Sequence, residues 1–243
     1  MGTRPAFYYF GNAFLRAAFK ILLRVDVRGL ENVPRNGPLI VAITHSSFLD
    51  PLLAGAYTPR EVIPMAKAEV FNWPVIGLIV RSYGAFPVRR GEVDVSAFKS
   101  ALRILEGGYA LVIAPEGHRS ESGTLQRGRE GAIMLSLRTG APILPVAVWG
   151  GKGFWENLSH LRRTPMRFYV GKPVIPELLG AKPTRERMAQ MSDELMIRAA
   201  EMMPPEMRGY YAERMQANTG YLRTFRPSDG QVLEKSKEVM RAG

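Results

Sequence analysis

The chain contains no cysteine. That absence excludes disulfides, thiolate metal sites and a cysteine nucleophile, and it fits a reducing compartment. Histidine is scarce, with three in 243 residues, so each one is weighed as chemistry. Acidic residues are outnumbered, 22 against 33 Lys and Arg. The net charge of +11 gives a surface that attracts anions, whether nucleic acid, an anionic membrane or phosphorylated small molecules. No uncharged apolar run reaches the roughly 18 residues that span a bilayer. The apolar stretch near the N-terminus is cut by Arg16 and Lys20, and no small-residue cleavage site follows it. The expectation is a protein neither exported nor membrane-spanning. No internal repeat and no low-complexity segment is visible.

What is present is enough apolar sequence, 46%, for one sizeable domain. Residues 7–24 read as a helix with a polar stripe, Asn12, Arg16, Lys20 and Arg24, opposite Phe10, Phe14, Ala17 and Ile21. Basic, aromatic-rich turns of this kind suit an interfacial helix in the headgroup region; packing on its own domain is the other reading. Beyond Pro38, strand-like runs at 39–44, 62–66, 86–88, 109–114, 142–148 and 166–170 alternate with helical stretches from Pro51 and at 94–106, 129–138 and 184–203. This pattern predicts an α/β fold: a single domain with a largely parallel central sheet flanked by helices, plus an N-terminal membrane-interface helix. The boundaries drawn are 1–28, 29–225 and a polar tail at 226–243. Ligands of such sheets gather beyond the carboxyl ends of the strands. His45, Arg89–Arg90 and Glu116 each follow a strand-like run directly.

Three stretches are candidates for chemistry. V-A-I-T-H-S-S-F-L-D-P ends an apolar run on His45, with Asp50 five residues on. Five helical residues turn about 500°, leaving the side chains roughly 140° apart, so the pair meets only if the chain turns between them. Asp50 before Pro51 also suits a helix cap followed by a first-turn proline, which would leave His45 an ordinary loop residue. Alternatively the carboxylate orients the imidazole and makes it a general base. A-P-E-G-H-R-S at 114–120 places Glu116, Gly117 and Arg119 in one tight loop, suited to a polyol phosphate. G-A-F-P-V-R-R sets Arg89 and Arg90 after another strand end.

Taken in order, these stretches resemble the glycerolipid acyltransferases. H-S-S-F-L-D matches the family's H-x-x-x-x-D motif; G-A-F-P-V-R-R resembles its second motif, ending in Arg90. P-E-G-H-R-S resembles its third, with His118 where threonine is usual, and A-P-I-L-P-V-A-V resembles its fourth, with a central Pro145. Lys67, in A-K-A-E-V-F-N-W-P-V-I-G, stands at the family's usual lysine. The resemblance covers about residues 25–175, and within the family it is greatest to bacterial 1-acyl-sn-glycerol-3-phosphate acyltransferases.

The resemblance implies transfer of a fatty acyl chain from an acyl-CoA or acyl carrier protein thioester to the sn-2 hydroxyl of lysophosphatidic acid. His45 would be the base and Asp50 its support. Arg90, Glu116, Gly117, Arg119 and Lys67 would hold the glycerol phosphate, and Pro142 and Pro145 would line the acyl path. Backbone amides near Gly117, or Lys67, are candidate oxyanion donors. No metal and no cofactor beyond the thioester co-substrate is implied. A membrane-borne substrate makes a peripheral, monotopic protein on the cytoplasmic face of the cell membrane the expected form, bound to an anionic surface. A nucleic-acid binder is disfavoured because the aromatics sit in apolar runs rather than among basic residues. A non-catalytic membrane-binding relative would have no need of His45, Asp50, Glu116 and Arg119 together. Another lysophospholipid, a glycolipid or an aminolipid as acceptor is the alternative left by His118.

Overall fold

Leu39–Ile43 is apolar at every position because its strand, β2, is covered on both faces. Side chains alternate across a strand, so Leu39, Val41 and Ile43 enter one core, while Ile40 and Ala42 enter another on the opposite face. A computed structural model of the chain describes residues 6–89, 94–178, 182–216 and 220–226. Its strands are β1 (Leu23–Arg28), β2, β3 (Val62–Lys67), β4 (Phe86–Val88), β5 (Ala110–Ile113), β6 (Ile143–Gly150), β7 (Thr164–Val170), β8 (Val174–Pro176) and β9 (Leu222–Thr224). The helices are α1 (Ala6–Leu22), α2 (Asp50–Tyr57), α3 (Pro74–Ser82), α4 (Val95–Glu106), α5 (Gly131–Thr139), α6 (Phe154–Ser159) and α7 (Arg185–Ala200).

The sheet order is β1-β7-β6-β2-β5-β3-β4, with β8 beside β6 and β9 beside β8. From β6 to β4 every neighbour is parallel, as is β1 to β7. The β6–β7, β6–β8 and β8–β9 pairs are antiparallel. The α/β fold with a largely parallel sheet is therefore as the sequence pattern predicts. One face carries α1, α2 and α6 through Phe19, Leu53 and Phe154. The other carries α4, α5 and α7 through Leu105, Ile133 and Leu195.

Parallel strands that start together end together, so β2, β3, β4 and β5 deliver their following residues to one edge. His45, Lys67, Arg89 and Glu116 stand there by topology alone.

Two local expectations change. The first helix ends at Leu22 rather than at residue 24, and Leu23–Arg28 is an edge strand in register with β7 from Thr164 to Tyr169. Val25 and Val27, β-branched and separated by charged residues, follow the period of a strand. The expected polar stripe is also split, with Arg16, Lys20 and Arg24 exposed and Asn12 not. Asn12 is buried and accepts from the Tyr83 hydroxyl at 3.0 Å, and the Arg16 guanidinium donates to the Ala56 carbonyl. Phe10 (72% exposed), Phe14 (66%) and Ile21 (73%) meet solvent. Among the described residues, no helix is long and apolar enough to cross a membrane. The polar tail beyond Arg226 lies outside the described residues.

Phe168, on β7 and almost fully buried, packs its ring 6.3 Å from that of Tyr57. Phe168→Ala should lower the unfolding free energy by about 3–5 kcal/mol, as removal of a buried aromatic typically does, read as a fall in the urea midpoint.

Candidate active site

The histidine and aspartate of the first motif meet. His45 Nδ1 lies 3.1 Å from Asp50 Oδ2, and the turn between them brings the Ser46 and Ser47 N–H groups to the same oxygen, both at 2.7 Å. Asp50 is the first residue of α2 and fully buried. Its carboxylate caps no helical N–H of its own; it closes the loop back onto the imidazole, so the cap reading fails. Burial pushes the Asp50 carboxyl above its ordinary range, and hydrogen bonds from His45, Ser47 and Ser46 pull against that. Among the described residues Oδ1 has no hydrogen-bond partner.

The backbone of His45 is fixed separately. Its N–H donates to Glu116 Oε1 at 2.8 Å, and its carbonyl accepts from Ser120 N–H at 2.8 Å. Thr44, one residue earlier, exchanges a reciprocal pair with Val148: its hydroxyl donates to the carbonyl at 2.8 Å and accepts from the N–H at 2.7 Å. Strand pairing thus continues through a side chain to the residue that precedes His45. Sequence alone does not mark Thr44, because a side chain completing a ladder across 104 positions leaves no local signal.

Glu116 is 2% exposed. Its second oxygen accepts from the backbone and side-chain nitrogens of Gln126, at 3.0 and 3.4 Å. Burial pushes its carboxyl upward, opposed by these bonds and by that from His45. The expectation that Glu116 accepts from a substrate hydroxyl is therefore corrected, since both oxygens are turned inward and occupied. Gly117 takes φ +81°, and a Cβ there would sit 2.9 Å from Arg129 Nε. Only glycine fits that turn. The Gly117 N–H donates to Ala114 O at 3.0 Å, so it is committed within the turn rather than to an oxyanion.

Two clefts flank this loop. One, of about 280 Å³, is lined by His45 together with apolar Ile43, Met65 and Val112 and by Arg89 and Arg129. The other, of about 260 Å³, lies between Ser46–Phe48, Arg119 and α6. A family model described as Acyltransferase matches residues 24–149, which hold all of this machinery except α6. The chain belongs to the acyltransferase family. It is 30% identical over 195 residues to a 1-acyl-sn-glycerol-3-phosphate acyltransferase of Bacillus subtilis, covering 78% of this chain and 95% of that one. A protein of the same name from Borreliella burgdorferi is 27% identical, with 77% and 78% covered. The crystal structure of the 1-acyl-sn-glycerophosphate (LPA) acyltransferase PlsC from Thermotoga maritima superposes with a TM-score of 0.63 at 25% identity, over 80% of this chain and 77% of that one.

The remaining expected residues of the acyltransferase scatter along the sheet edge. Lys67 ends β3, pairs with Glu69 at 3.1 Å and lines neither cleft. Arg90 lies outside the described residues, while its neighbour Arg89 lines the cleft that holds His45. Arg119 lines the other. Pro142 and Pro145 are buried and reach neither cleft. Pro145 is spent inside the sheet, beside Ala42 and under Gly171, so the apolar lining comes instead from β2, β3 and β5. Arg129 went unnoticed in the sequence because R-G-R-E carries no pattern that marks it.

Removing the Glu116 carboxylate would leave the His45 and Gln126 N–H groups without acceptors. Glu116→Ala should cost about 2 kcal/mol or more in urea unfolding, an unsatisfied buried donor being worth about 1–3 kcal/mol. Glu116→Gln, which keeps one acceptor, should recover part of that loss.

Proposed function

We propose that this acyltransferase moves a fatty acyl chain from a thioester, on coenzyme A or acyl carrier protein, to the sn-2 hydroxyl of lysophosphatidic acid, giving phosphatidic acid. The observation that carries the reading is a buried carboxylate hydrogen-bonded to an imidazole that itself lines a cleft. The names of the Bacillus subtilis and Thermotoga maritima relatives supply the substrate class.

With His45 Nδ1–H donating to Asp50, Nε2 is left as an acceptor. It takes the proton of the acceptor hydroxyl as the oxygen attacks the thioester carbonyl. Asp50 stabilises the imidazolium that results, as the carboxylate of a triad does. The tetrahedral intermediate collapses by breaking the C–S bond, and the proton on His45 passes to the departing thiolate. With no cysteine in the chain, and with Ser46 and Ser47 serving the turn through backbone N–H groups that hold Asp50, we read transfer as direct rather than through an acyl-enzyme. The apolar-walled cleft suits the acyl chain, and Arg119 in the second cleft suits the acceptor phosphate. On this reading the two substrates approach the base loop from its two flanks. The protein works as a peripheral enzyme on the anionic cytoplasmic leaflet, lying on the exposed stripe of α1.

Free-thiol release from an acyl-CoA tests the chemistry directly, since every thiol detected comes from the donor. His45→Ala and Asp50→Asn should each lower lysophosphatidic-acid-dependent release by about 100-fold or more while leaving thermal unfolding cooperative. Unchanged turnover in His45→Ala would sink the mechanism. Arg119→Ala should raise KM for the acceptor about tenfold and leave KM for the donor nearly unchanged. Phe10→Ser with Phe14→Ser should weaken binding to phosphatidylglycerol vesicles by about tenfold or more, as loss of two interfacial aromatics implies.

A further inference from the structure

The excursion between β6 and β7, residues 151–163, turns large apolar and basic side chains to solvent. Leu161 is 94% exposed and sits at φ +53°, a conformation that leucine rarely adopts. The backbone holds it there, through Leu161 N–H to Leu158 O at 3.0 Å and Arg162 N–H to Asn157 O at 2.7 Å. A tight turn on a polar surface ordinarily takes Asn or Gly at such a position; here it displays a large apolar side chain to solvent. Trp155 on α6 is 69% exposed and stacks on the partly exposed ring of Phe48, centroids 5.9 Å apart. Around them stand Lys152, Arg162 and Arg163, against the single carboxylate Glu156.

The excursion also adjoins α1. Arg163 Nε donates to Leu23 O at 3.0 Å, where α1 passes into β1. Leu158 of α6 and Leu15 and Leu22 of α1 pack against one cluster with Phe19 and Phe154. Exposed Ile21, at the end of α1, therefore lies near the start of β7, and Lys20 and Arg24 bring further positive charge to the same side.

We propose that residues 151–163 form a second membrane-docking element, with Leu161 and Trp155 entering the headgroup boundary and Lys152 and Arg162 meeting anionic lipid. An exposed tryptophan and leucine ringed by cations match the two halves of an interface, apolar below and charged above. Trp155 and Phe48 also wall the Arg119 cleft, so docking here brings that cleft's mouth to the lipid surface. An acceptor could then slide in without leaving the bilayer. The docking role of this mouth rests on the reading that the acceptor is a membrane lipid.

The cysteine-free chain allows a direct test. Leu161→Cys, labelled with a polarity-sensitive dye on the full-length protein, should shift its emission to the blue on adding vesicles of phosphatidylcholine with phosphatidylglycerol. Vesicles of phosphatidylcholine alone should shift it less. An unchanged emission with the anionic vesicles overturns the proposal. As a second measurement, Leu161→Asp with Arg162→Ser should weaken vesicle binding about tenfold or more, since one interfacial cation alone is worth about fivefold. The same variant should keep wild-type thiol release with a dispersed short-chain acceptor. Full retention of vesicle affinity overturns docking at this loop. If the wild type transfers to no acceptor yet the labelled loop still shifts on vesicles, the acyl-transfer reading fails and the docking element stands.

Discussion

The site depends on the grip that the loop after β5 holds on the main chain of one residue. The N–H of His45 goes to Glu116 and its carbonyl to Ser120, so the Cα of His45 is set by a segment 71 residues away. Only with that backbone fixed does the short turn from Ser46 to Leu49 bring Asp50 round to Nδ1. The two carboxylates have separate tasks. Asp50 fixes the ring, and Glu116 fixes the chain that carries the ring. Burying a carboxylate costs several kcal/mol unless its oxygens are satisfied, and the two are satisfied unequally. Glu116 engages both oxygens, whereas Asp50 crowds three donors onto Oδ2 and leaves Oδ1 without a partner among the described residues. In both, burial outweighs the donors and raises the carboxyl.

Much of this was legible in the sequence, and the limits follow from physics. The buried strands announced themselves as short apolar runs, and the parallel sheet followed from their alternation with helices. The common position of His45, Arg89 and Glu116 after strands was legible because a parallel sheet turns sequence position into a shared edge. The meeting of His45 and Asp50 was not decidable from spacing, since it depends on a turn whose donors are backbone amides of Ser46 and Ser47, and backbone amides are the same in every sequence. Glu116 was misassigned for a related reason. A carboxylate in a glycine-containing loop looks alike from the sequence whether it faces a substrate or a neighbouring strand, and only burial distinguishes the two. Pro145 was misread because an apolar residue at a strand centre belongs equally to a core or to a channel wall.

The exposed apolar stripe on α1 has a simpler cause. A helix with both a polar and an apolar stripe is ordinarily assumed to bury the apolar one. Here Asn12 is buried against the Tyr83 hydroxyl, the exposed Arg16 reaches back to the Ala56 carbonyl, and the helix is seated by Tyr8, Phe19 and Leu22 at other angles. The Phe10, Phe14, Ile21 stripe is left over. Contiguous exposed apolar side chains are unusual on a surface facing only water, and a second set beside the Arg119 cleft makes the pattern harder to assign to chance.

The strand order links that surface to the chemistry. Were β7 parallel to β6, its connection would cross the sheet and start β7 at the far edge. Because the pair is antiparallel, the excursion that joins them stays at the edge where β2 delivers His45. Because β1 runs parallel to β7 from Leu23 and Thr164 onward, the end of α1 is brought to that same edge. One reversal of strand direction therefore sets the base, the Arg119 cleft, Trp155 and Leu161, and the end of α1 along a single side of the molecule. An enzyme whose substrate stays in a bilayer needs that coincidence, since a base on the opposite edge would require the lipid to be lifted clear of the membrane and its chain exposed to water, at about 0.8 kcal/mol for each methylene.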